Sequence, residues 1–273
     1  MGGGSVERDS IRITSLDTIR QSDTVAIEEP LSLAVSIDGV SPTPLGILMR
    51  TPGNDIELIH GFLYSEGIIS SSADILNIKI EDNNADVTIP PESDFDPGNY
   101  VRRTTMSSSC GVCGRSTISD MLHLHSNPLS EEISLNYNIF SSNLEKMSAS
   151  QELFRTSGGT HACASFTENG DLVSIFEDVG RHNAMDKLVG SHLIENLTPP
   201  SNCILVVSGR ASFDLVQKSI RSGFPIMLAI GAPSSLAVDL ANEHGLTLAC
   251  FCKESSMSTF SGLRRVIHHE YNK

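Results

Sequence analysis

Ile204-Leu205-Val206-Val207-Ser208-Gly209-Arg210-Ala211-Ser212 is the stretch that decides the fold. Four apolar residues in a row, three of them β-branched, describe a strand buried on both faces. The polar run after it makes a junction, and residues 213–221 carry a helix. The same order recurs. Residues 225–230 read as a strand, Gly231-Ala232-Pro233 as a junction, 234–244 as a helix and 246–252 as a closing strand. Such alternation predicts a sheet with helices on its faces.

Upstream, a helix over about 139–153 leads into Ser157-Gly158-Gly159-Thr160-His161-Ala162-Cys163. Its glycines let the backbone come close to a ligand. A strand, the Asn169-Gly170 turn and a second strand through Phe176 follow, and a helix starts at about Arg181. Successive junctions of an α/β sheet open where ligands bind. Gly158, Gly159, His161, Asp178, Arg181, His182, Arg210 and Ser212 are therefore predicted to surround one cavity. The glycines would present N–H groups to a phosphate and the arginines would neutralise it. The plainer reading is that these charges pair with one another and stitch helices together.

Residues 1–20 read as a flexible tail and 21–100 as a small α+β domain. Residues 31–37 alternate apolar and polar, Asp38-Gly39 supplies a turn, and 45–49 return. Asn54 or Asp55 caps a helix through Tyr64 that Gly67 ends. His60 is a helix-face residue. A second hairpin joins 78–80 to 87–89 across Asn83-Asn84. Pro90-Pro91 and Pro97-Gly98 mark a boundary before a mobile cysteine loop and linker over 101–133, and the last domain takes 134–273. His123 and His125, in an alternating run at 121–125, read as surface histidines.

The loop holds Ser107-Ser108-Ser109-Cys110-Gly111-Val112-Cys113-Gly114-Arg115. It has no hydrophobic period and is rich in Ser and Gly, so exposure is expected. Arg115 favours a thiolate nearby. Three readings fit: half of a zinc knuckle, a thioredoxin-like redox pair, or a sulfur carrier holding a persulfide. The zinc reading lacks a good second ligand pair. The redox reading lacks a preceding strand. From these residues alone, zinc and sulfur carriage stand level.

With 273 residues, 39% hydrophobic and 19% charged, the composition is that of an ordinary globular protein able to bury a core. A net charge of −14 argues against a general nucleic-acid partner. No apolar run reaches membrane-spanning length, and the first residues show no export signal. Six unevenly spaced cysteines then read as reduced thiols in the cytoplasm.

Cys-Gly-Val-Cys-Gly, Gly-Gly-Thr-His-Ala, Glu-Asp-Val-Gly-Arg-His-Asn-Ala-x-Asp-Lys, Ser-Gly-Arg-Ala-Ser and Ala-Pro-x-x-Leu-Ala-Val occur here in one order. With them the chain resembles the FdhD family of formate dehydrogenase accessory sulfurtransferases, over about residues 28–260. The resemblance implies a sulfur carrier that takes sulfane sulfur from a cysteine desulfurase. It delivers that sulfur to a molybdenum or tungsten bis(molybdopterin guanine dinucleotide) cofactor, which then enters formate dehydrogenase. It further implies a cytidine-deaminase-like α/β/α sandwich in the C-terminal part, beside the smaller N-terminal α+β domain. A homodimer is expected, with no resident metal.

The resemblance places the persulfide on Cys110, with Cys113 as its neighbour. It places the cofactor-binding segment on Phe251, Cys252, Lys253, Glu254, Ser255 and Ser256. Here Lys253 and Ser256 stand where arginines are usual, and Phe260 where a tyrosine is usual. Lysine keeps one charge but lacks the fork that grips phosphate. Glu254 adds repulsion, which shifts weight onto Arg181, Lys187 and Arg210. Two rivals remain. A zinc deaminase needs His-x-Glu before Pro-Cys-x-x-Cys, and here His161-Ala162-Cys163 follows the cysteine pair and lacks the glutamate. A non-catalytic cofactor chaperone would bind without moving sulfur.

Overall fold

The computed structural model describes residues 4–37, 40–93, 95–96 and 128–268. Cys110, Cys113, the expected exposure of the loop around them, the Asp38-Gly39 turn and the 121–125 run lie outside the described residues.

The chain begins with a ribbon where a flexible tail is expected. Strands β1 (Ser5–Ile13) and β2 (Thr18–Ala26) pair antiparallel along their whole length. Arg8 stands across from Asp23 and Val6 across from Val25. The Thr14 hydroxyl accepts from the Leu16 and Asp17 amides and so closes the turn. Interleaved charges hide this strand pattern from a reading by composition, while the β-branched Val6, Ile11, Ile13, Ile19 and Val25 support it.

Next come β3 (Glu29–Ile37), β4 (Thr43–Arg50), helix α1 (Asp55–Ser65), β5 (Asn77–Glu81) and β6 (Asn84–Ile89). They form a four-stranded sheet in the order β4-β3-β6-β5. The second hairpin turns one residue earlier than the sequence suggests. Glu81 pairs with Asn84, and Asp82 and Asn83 take φ values of 46° and 64°. Both turn positions are left-handed, which suits a tight hairpin. Asn54 does precede α1, but at φ 56° with no side-chain cap. Arg50 instead grips Asp55 through two nitrogens, at 2.9 and 3.1 Å.

After β7 (Leu135–Asn136), the expected 139–153 helix is two helices, α2 (Tyr137–Ser150) and α3 (Glu152–Ser157). Gln151, at φ −78° and ψ 79°, breaks them. Then follow β8 (His161–Thr167), β9 (Leu172–Asp178), α4 (Arg181–Ile194), β10 (Cys203–Val207), α5 (Phe213–Ser222) and β11 (Ile226–Ala229). The chain closes with α6 (Ser235–Glu243), β12 (Thr247–Lys253), β13 (Ser256–Ser261) and β14 (Val266–Ile267), the last pairing with β7.

The six-stranded sheet runs β13-β12-β11-β10-β8-β9, with β10, β11 and β12 parallel. Alternate residues divide its two faces. Leu205, Val207, Met227 and Ala229 share a core with Leu188 of α4, Leu215 and Val216 of α5 and Leu240 of α6. Ile204, Val206, Ile226 and Leu228 share another with Phe140, Leu144 and Met147 of α2. The mixed α/β architecture is thus a sheet between two helical layers. No described helix is long and apolar enough to cross a membrane.

The N-terminal sheet joins the larger core rather than standing beside it. Leu31, Leu33, Leu58 and Ile59 belong to the same cluster as Leu188 and Val216. Helix α1 crosses α4 at two glycines. A Cβ on Gly61 would stand 1.8 Å from the Asp186 carbonyl oxygen, and one on Gly190 1.8 Å from that of Glu57. Only glycine permits backbones this close.

Candidate functional site

Strands β10, β11 and β12 all end at one edge of the sheet. β9 ends there too, and β8, which runs the other way, begins there. Direction alone therefore puts His161, Arg181, Arg210, Ser212 and Phe251 on a single rim. The Ser208 amide donates to the Ala162 carbonyl at 2.9 Å, and the Ser208 hydroxyl accepts from the Ala162 amide at 2.9 Å. That reciprocal pair locks the β10–α5 junction against the start of β8. A Cβ on Gly209 would meet His161 Nδ1 at 3.5 Å and Arg181 Cδ at 3.7 Å, so three segments converge there.

The electrostatics of the rim are those of a cation-lined site on an acidic chain. His182 is pushed down to about 4, first by burial and then by Lys218, Arg181 and His161. His161 is lowered by burial and by Arg181. Both imidazoles are therefore neutral near pH 7. Arg181 Nε, His182 Nε2 and Ser212 Oγ are buried, with no hydrogen-bond partner among the described residues. The nearest acid to His182 is Asp214, with Oδ2 3.7 Å from Nε2, too far for a hydrogen bond. Leaving a buried polar atom unpaired costs about 1–3 kcal/mol, and three such atoms gather on this rim. Arg210 is exposed beside them.

The other expected residues are placed differently. Asp178 is fully buried, and its carboxylate is taken by Lys187 (2.8 Å), the Thr51 and Gly180 amides (3.0 and 2.8 Å) and the Asn183 side chain (2.9 Å). Lys187 also donates to the Thr51 carbonyl and is 1% exposed. This pair fastens the N-terminal sheet to the β9–α4 junction and lies behind the rim. Gly158, with φ 66°, ends α3, and Gly159 lies beside Ala26 of β2. Glu177 holds the start of α3 by accepting from the Leu153 and Phe154 amides, and it accepts from the Thr160 hydroxyl.

Three residues with parts in this region are absent from the sequence reading: Thr51, Asp214 and Lys218. Lys218 donates to Asp186 in a mostly buried ion pair under His182, where Ser65 of α1 also donates. Helical spacing is the signal that finds two of them, because Asp214 and Lys218, four apart on α5, must share a face.

At the far end of the rim, Phe251 sits at φ 54° between buried Cys250 and Cys252. Lys253, Glu254, Ser255 and Ser256 turn the chain into β13 and are exposed. Among the described residues, no three His, Cys, Asp or Glu side chains converge as a metal set.

Comparison with known proteins bears on the whole of this chain. It is 40% identical to a protein of Saccharolobus solfataricus over 94% of this chain and 96% of that one. It is 42% identical to one of Sulfurisphaera tokodaii, covering 90% and 93%, and 38% identical to one of Nocardia farcinica, covering 97% and 96%. Each is named sulfur carrier protein FdhD. A crystal structure described as a formate dehydrogenase accessory protein of Desulfotalea psychrophila superposes with a TM-score of 0.77 at 26% identity, over 97% of this chain and all of that one. The model of the FdhD/NarQ family matches residues 26–267, and the chain belongs to that family.

Proposed function

We propose that this chain is a sulfur carrier in formate dehydrogenase maturation, a sulfurtransferase that works through a persulfide on Cys110. The Cys110 thiolate attacks the outer sulfur of a cysteine desulfurase persulfide. The new S–S bond forms on Cys110 and the desulfurase thiolate leaves, so no electrons are gained or lost. The carried sulfur then passes to the metal of a bis(molybdopterin guanine dinucleotide) cofactor, which is cargo here: the S–S bond breaks, Cys110 leaves as a thiolate, and the two electrons that turn sulfane sulfur into sulfide come from the cargo metal. Cys113 either receives the sulfur in relay or attacks the persulfide. In the second case hydrosulfide leaves and a Cys110–Cys113 disulfide remains.

The observation that carries this reading is the rim at the strand ends, where the exposed Arg210 stands beside Arg181, His182 and Ser212, whose Nε, Nε2 and Oγ are buried without a partner among the described residues. Donors and a guanidinium gathered at strand ends suit a phosphate-bearing ligand, and the cargo carries such phosphates. The names of the relatives support the sulfur-carrying half. The sheet between two helical layers is in keeping with a cytidine-deaminase-like sandwich. We further read the protein as a cytoplasmic homodimer.

Mass spectrometry after incubation with a cysteine desulfurase and cysteine tests the reading. Addition of one sulfur atom on the peptide containing Cys110, removable by dithiothreitol, is the expected result. Absence of that mass with an active desulfurase would sink it.

A further inference from the structure

We propose that two copies of this chain join along β2 of the β1–β2 ribbon, forming one four-stranded antiparallel sheet with Ser22 on the twofold axis. This rests on the homodimer reading above and assigns its interface.

The ribbon ends as an exposed arm. Every residue from Ile11 to Arg20 is exposed. Four of them are large and apolar: Ile11 (57%), Ile13 (76%), Leu16 (95%) and Ile19 (48%). The base of the arm leans on the body, where α3 packs on β2 and Gly159 lies beside Ala26. No other described strand pairs with β1 or β2, so each presents an open edge nine residues long. A two-stranded hairpin is at best marginally stable alone in water and gains stability from further strands. An open edge is a template for such a strand, and lysine or proline commonly guards it. Residues 5–26 contain neither.

The sequence of β2 suits a second copy of itself as the added strand. A twofold axis normal to the sheet sets one residue opposite its own copy, and opposed residues share a face. Among the central residues of β2, centring on Arg20 or Asp23 opposes like charges. Centring on Gln21 or Thr24 sets Ile19 or Val25 against Asp23. Centring on Ser22 avoids both faults. Ile19 then faces Val25 of the second copy, Gln21 faces its Asp23, and Arg20 faces its Thr24. Along β1, each central register opposes like charges or sets Asp9 against Ile13.

Pairs within each ribbon extend these rows, since Val25 stands across from Val6 and Thr24 from Glu7. The joined sheet thus carries Val6, Val25 and the other copy's Ile19 side by side. It also brings each Arg20 within one strand of Glu7 from the opposite copy. Thr18 lies opposite Ala26, so the tip of each ribbon, with Ile13 and Leu16, reaches the base of the other. There α3 carries Phe154, which is 46% exposed. Two chains of net charge −14 repel over most of their surfaces. The ribbon sets three arginines against four acids, so this joint falls where charge is close to balanced.

Sedimentation velocity on the full chain tests the assignment, with Ser22→Lys and Ser22→Cys beside wild type. Ser22 is exposed, so neither substitution disturbs the core. Wild type should run as a dimer of 29.4 kDa chains. Ser22→Lys places two ammonium groups on the axis and should raise the dimer dissociation constant by about tenfold or more, most strongly at low salt. In a Cys110→Ala/Cys113→Ala background, mild oxidation of Ser22→Cys should link residue 22 of one copy to residue 22 of the other. Mass spectrometry of the linked peptide reads this out. Ser10→Cys in the same background lies on the outer strand and should not link, because a disulfide needs close Cβ atoms. A dimer that ignores Ser22→Lys, or one that forms no 22–22 disulfide, overturns this interface and leaves the homodimer and sulfur-carrier readings standing. A monomeric wild type overturns the interface and the homodimer together, and leaves the ribbon to a different protein.

Discussion

Lys187 Nζ lies 2.8 Å from Asp178 Oδ2, and the two side chains are 2% and 0% exposed. The pair joins α4 to the end of β9, and through Thr51 to the N-terminal sheet. Removing one partner leaves a charge without compensation in the interior, which costs about 3–5 kcal/mol. Lys187→Met should lower stability by that amount in urea denaturation at pH 7. The double variant Asp178→Asn/Lys187→Met should lose clearly less than the sum of the single losses. Strict additivity would mean the two do not act as a pair.

Gly61 and Gly190 give the second expectation. Overpacking commonly costs about 1–3 kcal/mol, and here the added methyl meets a backbone oxygen that cannot rotate away. Either substitution to alanine should reach or exceed the top of that range. An alanine variant of wild-type stability would show that α1 and α4 can part without loss.

A pH dependence follows from His182. Its folded value is about 4, against about 6.5 in an unfolded chain. Between those values the unfolded chain binds a proton and the folded one does not, so stability falls as the pH drops from 6.5 to 4. Below about 4 the contribution is gone, and above 6.5 it is fully present. His161 and His192 are lowered too and act in the same direction. The urea midpoint should fall less steeply with acid in His182→Asn than in wild type. Equal slopes would assign the acid sensitivity to other groups.

The described cysteines should be chemically silent. Burial pushes Cys250 and Cys252 up to about 12 and raises Cys163 and Cys203 as well. Thiols held protonated react slowly, because the thiolate is the nucleophile. Iodoacetamide at pH 8 should leave these four unmodified in the native protein. Peptide mapping that finds any of them labelled before denaturation would contradict the burial.

In the sulfur-carrier reading, Cys110→Ala should abolish persulfide formation and formate dehydrogenase maturation, with Cys113→Ala milder. Total loss in both would indicate an obligatory relay.

Much of the larger sheet is legible in the sequence because its signals are local. The Ile204–Val207 run, the junction after it and the amphipathic 213–221 helix each follow from a few neighbours. The rim is legible for a related reason: strand direction fixes which ends of the chain meet. What stays hidden depends on distant partners. Nothing near Asp178 in sequence shows that Thr51 and Lys187 will claim its carboxylate, so a functional role and a structural one look alike. The β1–β2 ribbon is missed because its stabilising pairs lie across the hairpin and its composition is polar. The break at Gln151 is missed because the helical period continues through it.

The two glycines where α1 meets α4 bear on what would happen if the backbone were cut. The seam they allow joins residues 55–65 to 181–194, which lie on either side of residues 97–127 in the chain. A chain severed in that interval keeps both halves of the seam, so its two fragments should find each other in solution and assemble without a covalent link. Co-expression of 1–96 with 97–273 should yield a one-to-one complex that co-purifies, and Gly190→Ala in the larger fragment should prevent it.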